Sequence, residues 1–108
     1  MTVNELCSSC GFDEICVPNG EHEVSGAYIG DLLSWVMGRA NEGNAWITIM
    51  SNINVIAVAS LSDVSCVILA EGVSLDEALK NTAIQKGINF LSSKLPAFET
   101  AQLLIGKV

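Results

Sequence analysis

Apolar positions in this chain alternate between short, nearly continuous runs and segments spaced for one face of a helix. The stretch from Val24 to Met37, VSGAYIGDLLSWVM, sets the pattern. Val24 to Ile29 is an extended run that breaks at Gly30-Asp31. Leu32, Leu33, Val36 and Met37 then share a helical face up to about Gly38, with Asp31 placed to cap it. Further on, Ala45 to Met50 (AWITIM) and Cys66 to Ala70 (CVILA) are apolar almost throughout, as strands covered on both faces must be. Ile88 to Leu91 is a third short strand. Between them, Ile53 to Leu61 reads as a helix opened by Ser51-Asn52, because two buried strands joined by two residues would need a better hairpin turn. Ser74-Leu75-Asp76-Glu77 has the form of a capping box for a helix closed by Lys86-Gly87, with Leu75, Ala78, Leu79 and Ala83 inward. Pro96 suits the first turn of a last helix whose Phe98, Ala101 and Ile105 face inward.

Ahead of this alternation stand a short helix and a strand. Thr2 and Glu5 form a capping box, and Gly11 can end the helix; Val3, Leu6, Cys7 and Cys10 lie on one face. Phe12 to Val17 is the strand, followed by a turn at Pro18-Asn19-Gly20. The sum is one α/β domain over residues 1–108. It has a mostly parallel sheet flanked by helices, with βα repeats from Val24 on. Right-handed crossovers then gather the βα turns, at Gly30-Asp31, Ser51-Asn52, Glu71-Gly72 and Ser92-Ser93, on one edge of the sheet.

Half of the residues are hydrophobic and the mean hydropathy is +0.45. In a chain of 108 residues that content predicts apolar surface left over for an interface, and a homodimer is its simplest use. The segment Ile53 to Leu61, apolar nearly all round, is the predicted contact. The net charge of −7, with only five Lys and Arg, argues against nucleic-acid binding and against an anionic membrane surface. No apolar run reaches the ~18 residues of a membrane span, and no leader is visible, so the expectation is a cytoplasmic protein with its cysteines reduced.

The run GAYIGDLLSWVMGRANEGNAWITIMSNINVIAVASLSDVSCVILAEG resembles the core of the DRTGG domain family, and KGINFLSSKLPAFETAQLL is similar to that family's closing segment. The acidic–basic pair of the family motif falls on Glu21-His22 and its Thr-Gly-Gly on Ser25-Gly26-Ala27. Here His22 replaces a permanent charge with a titratable one, and Ala27 adds a methyl group. The resemblance implies a compact α/β domain that pairs and serves as a regulatory or accessory part, as it does inside phosphotransacetylases and CBS-domain pyrophosphatases. It also implies a ligand-sensing role, and an association with iron hydrogenases for stand-alone versions. It carries over no catalytic residues.

The residues themselves suggest two sites. Ser25, Gly26, Asp31, Thr48, Asn52 and Asn54 would line a small-ligand pocket on the βα edge, where open α/β sheets bind ligands against helix N-termini. The competing reading makes Asp31, Asn52 and Ser93 helix caps. Cys7, Cys10, Cys16 and His22 have a spacing that a Cys3His zinc site would tolerate, while cysteines on an apolar helix face are also ordinary core residues. No phosphate loop and no nucleophile–base pair is visible. The expected function is therefore a non-enzymatic regulatory or accessory domain, without a cofactor, acting through dimerisation and a protein partner. The alternatives are a small-molecule sensor, with a nucleotide among its candidate ligands, and a metal or iron–sulfur accessory protein.

Overall fold

The computed structural model covers residues 1–108 and contains five strands and five helices. In chain order they are α1 (Val3–Cys10), β1 (Asp13–Cys16), β2 (Ala27–Ile29), α2 (Leu33–Arg39), β3 (Ala45–Thr48), α3 (Ile53–Ser62), β4 (Cys66–Leu69), α4 (Glu77–Gln85), β5 (Phe90–Ser92) and α5 (Ala97–Leu104). The sheet runs β1-β5-β4-β3-β2. Strands β2 to β5 are parallel, with Tyr28 beside Trp46, Trp46 beside Val67 and Val67 beside Phe90. β1 joins the far edge antiparallel to β5. The α/β architecture with a mostly parallel sheet is thus as expected.

Alternation along the central strands sorts their side chains onto two faces. Trp46, Val67, Leu69 and Phe90 meet Val36 of α2, Val55, Ile56, Val58 and Ala59 of α3, and Ala83 of α4. Ala45, Ile47, Cys66, Ile68 and Leu91 meet Val3 and Leu6 of α1 and Leu104 of α5. The fold therefore has three layers, with α2–α3–α4 on one face and α1 and α5 on the other.

That layering corrects several expectations. Helix α3 is the middle of three helices, so Val55, Ile56, Val58 and Ala59 are consumed by the monomer's own core. Its nearly all-round apolarity reflects burial against the sheet and two flanking helices, and only Ile53, Ala57 and Leu61 among its apolar residues reach the surface. Helix α5 turns Thr100 and Leu104 inward and leaves Phe98 68% and Ile105 78% exposed. A polar Thr is tolerated there because its hydroxyl meets Ser93 Oγ at 2.7 Å and donates to Leu95 O. On α2, Val36 is buried and Leu33 half-buried, but Leu32 and Met37 face solvent. Helix α4 is capped by Asp76, whose carboxylate accepts from Leu79 N at 2.8 Å, two residues beyond the expected Ser74, and Ala78 is exposed. The Thr2–Glu5 capping box of α1 forms as expected, with Gly11 left-handed at the other end.

Candidate functional site

The carboxyl edge of the parallel strands carries the turns after β2, β3, β4 and β5, and the two candidate surfaces lie at its opposite ends. At the β2–β3 end, Asp31 does not cap α2. Leu32 holds the cap position with extended backbone, and no side chain caps that helix. Asp31 instead ties two turns together: its carboxylate accepts from Thr48 Oγ1 at 2.6 Å and from Ile49 N at 3.1 Å. Thr48 Oγ1 accepts in turn from Met50 N at 3.3 Å. Trp46 Nε1 donates to Gly30 O at 2.9 Å and anchors the first turn to the core. Asn52 is the cap of α3, accepting from Asn54 N at 3.0 Å.

Around this polar knot, four large apolar side chains stand about half exposed: Ile29 and Leu32 flank one turn, Ile49 and Ile53 the other. Trp35 and Met37 extend the apolar surface along α2, and Arg39 stacks over the Trp35 ring at 3.8 Å. β2 is the sheet's edge strand, so its outer backbone groups have no strand partner.

The six residues expected to line one pocket are split. Asp31, Thr48, Asn52 and Asn54 share the carboxyl edge. Ser25 and Gly26 precede β2 and lie at the opposite edge, where Ser25 N donates to Gly43 O at 2.8 Å and Ser25 O accepts from Asn44 Nδ2 at 2.7 Å. Gly26 takes a left-handed φ of +72°, and a Cβ there would sit 3.1 Å from Asn44 Nδ2. The position matching the family motif is thus built into the floor of the sheet. Asn89 completes that floor: it accepts from Asn19 N at 2.9 Å and donates to Asn19 O at 2.8 Å and Ser65 O at 2.9 Å.

At the β5–β1 end lies a pocket of about 120 Å³ lined by Cys10–Asp13, Ser93–Leu95 and Leu103. Sequence reasoning missed it, because an alternation of strands and helices does not say which edge of the sheet β1 joins. The signal that was present is Gly11, a helix-ending residue that brings Phe12 and Asp13 to the same edge as the β5 turn.

The cysteines do not converge. Cys7 Sγ donates to Phe12 O at 3.2 Å, Cys10 Sγ to Leu103 O at 3.5 Å and Cys16 Sγ to Ile88 O at 3.8 Å. No group of three or more His, Cys, Asp or Glu is placed to hold a metal, so Cys7, Cys10, Cys16 and His22 are not brought together. Burial raises all four thiols above their ordinary range, the reverse of what thiolate ligation needs. Cys66, in the middle of the sheet, is pushed up to about 12 by desolvation. A group buried in its protonated form contributes stability below its unfolded pKa, near 9, and loses it as pH rises towards 12. The urea midpoint of the native protein should therefore fall with pH over that window more steeply than that of Cys66→Ala; parallel curves would show that Cys66 does not titrate on unfolding.

No family model and no curated protein matches this chain. Among solved structures it is similar to the CBS and DRTGG domains of the regulatory region of Clostridium perfringens pyrophosphatase, solved with the activator diadenosine tetraphosphate. The TM-score is 0.72 at 14% identity, covering 96% of this chain. The chain spans about half of that structure, 46% of its length. No helix here is long and apolar enough to cross a membrane. A likeness at this identity is one of fold, and it agrees with the resemblance carried by the GAYIGDLLS and AWIT-to-IAVAS runs: the chain folds as a DRTGG-like α/β domain.

Proposed function

We propose that this chain is a non-catalytic regulatory or accessory domain that works by pairing with a second copy and presenting the pair to a protein partner. The observation that carries the reading is the apolar corner of Ile29, Leu32, Trp35, Ile49 and Ile53 beside the free edge of β2. Between Val24 and Gly38 the only charge is Asp31. Two copies of a chain with net charge −7 repel one another least through a surface with so little net charge. An edge strand is also self-complementary about a two-fold axis, since β2 can pair antiparallel with its copy. A specific dimer buries at least ~1,000 Å² in total, or ~500 Å² per copy, close to a tenth of this chain's 5323 Å².

Sedimentation velocity at micromolar concentration tests the pairing. The native chain should run as a dimer, and Leu32→Glu or Ile29→Lys as a monomer. Both side chains are exposed, so the folded monomer should lose no more than about 0.5 kcal/mol. A native monomer, or variants that stay dimeric, would sink the proposal.

A second reading, ligand sensing at the carboxyl edge, is favoured by the nucleotide activator bound in the similar regulatory region. Asp31, Thr48, Asn52 and Asn54 lie on that edge, and the uncapped start of α2 leaves N–H groups there. Calorimetric titration with diadenosine tetraphosphate separates the two readings, because the pairing reading requires no heat of binding.

A further inference from the structure

The pocket at the β5–β1 end sits beside the point where the sheet changes sides. The chain leaves β4 towards the α2–α3–α4 layer and leaves β5 towards the α1–α5 layer, so the turns after these neighbouring strands diverge. Open α/β sheets place ligands at such switch points. The crevice between the two turns is closed by hydrogen bonds, Glu71 N to Leu95 O at 2.9 Å and Gly72 N to Ser93 O at 2.8 Å. The open space lies next to it, between the β5 turn and the α1–β1 turn.

The walls of this pocket carry opposite, unspent charges. Lys94 and Asp13 both line it, and both are exposed. The two ion pairs of the molecule are Met1–Glu23 and Lys80–Glu77, so neither Lys94 nor Asp13 is neutralised by a neighbour. Phe12, Leu95 and Leu103 supply the apolar part of the lining. Ser93 Oγ is already committed to Thr100 Oγ1 at 2.7 Å and Leu95 N at 3.2 Å. Lys107 Nζ is committed to Leu103 O at 2.9 Å.

Size and charge together narrow the occupant. Pockets for drug-sized ligands measure about 300–1,000 Å³. A pocket of about 120 Å³ is too small to enclose a nucleotide and matches a molecule of a few heavy atoms. A lone anion would meet Asp13 and a lone cation would meet Lys94, each with a like charge in the lining of the same pocket. A molecule carrying both charges close together satisfies both walls.

We propose that this pocket binds a small zwitterion, a free α-amino acid with a short side chain. Its carboxylate pairs with Lys94, its ammonium pairs with Asp13, and its side chain rests on Phe12, Leu95 and Leu103. This site is separate from the apolar corner at the other end of the edge, and its test does not depend on pairing.

Glycine, alanine, serine and cysteine are the probes, titrated at millimolar concentrations against the full chain and followed by amide chemical shifts. Saturable shifts should appear at Gly11–Asp13 and Ser93–Leu95. Acetate and methylammonium, each carrying half of the charge pattern, should bind about tenfold more weakly or not at all. Lys94→Met and Asp13→Asn should each weaken the amino acid by roughly tenfold or more while leaving the spectrum of the core unchanged. Acetate binding as tightly as alanine, variants that bind as tightly as the native chain, or no saturable shift with any probe would overturn the proposal.

Discussion

Trp46→Ala should remove about 3–5 kcal/mol of stability, the range for deleting a large buried aromatic. Trp46 lies in β3, the strand between β2 and β4, and is the largest fully buried side chain of the molecule. Its ring belongs to the core shared with α2, α3 and α4, so the cavity it leaves is walled by elements that pack on one another and cannot collapse freely. Its Nε1–H also holds Gly30 O, so truncation frees the turn that carries Asp31 and the apolar corner. For a small domain holding about 5–15 kcal/mol in all, such a loss takes a large share of the total stability. Urea unfolding checks the figure. Trp46→Phe should cost less, because it keeps most of the ring and gives up the hydrogen bond. A loss under about 1 kcal/mol for the alanine variant would mean that the core repacks around the missing ring.

Asn89→Ala should cost about 2–4 kcal/mol, although it deletes only a carboxamide. The side chain is 2% exposed and serves three backbone groups, Asn19 N–H, Asn19 C=O and Ser65 C=O. Removing one partner of a buried hydrogen bond leaves the other to bear its desolvation, at about 1–3 kcal/mol each. Water will recover part of this at Asn19, where the bonds are only partly buried. Amide exchange supplies a second readout. The Asn19 N–H should lose its protection in the variant, while β3 and β4 amides change only by the global loss. An Asn89→Ala protein of native stability would show that the Pro18–Gly20 turn holds itself.

Several elements were legible because their cause is local. The Thr2–Glu5 box, Gly11 at a left-handed φ and Asn52 ahead of α3 act within four residues, and the structure has all three. The AWIT and CVIL runs were legible for another reason: only a strand covered on both sides tolerates apolar residues at every position, and both strands are wholly buried. Where two local signals competed, sequence offered no way to choose. Ser74 and Asp76 are both good caps, and Asp76 is the one whose carboxylate reaches the backbone N–H three residues on.

What the sequence by itself determined is the kind of element at each place, the parallel sense of the strands from β2 to β5, and the edge that carries the βα turns. Those follow from periodicity, caps and the hand of crossovers, which need no distant partner. Tertiary structure alone decided which face of α5 is inner, since Phe98–Ala101–Ile105 and Thr100–Leu104 are both proper helical faces and only the position of the sheet separates them. It decided that α3 is spent on the monomer's core, because a central helix and an interface helix look alike until their neighbours are placed. It separated Ser25-Gly26 from Asp31 and Thr48, because a strand between them carries the chain from one edge of the sheet to the other. And it made the pocket lined by Asp13 and Lys94, residues far apart in the chain that come to the same edge because β1 pairs with β5.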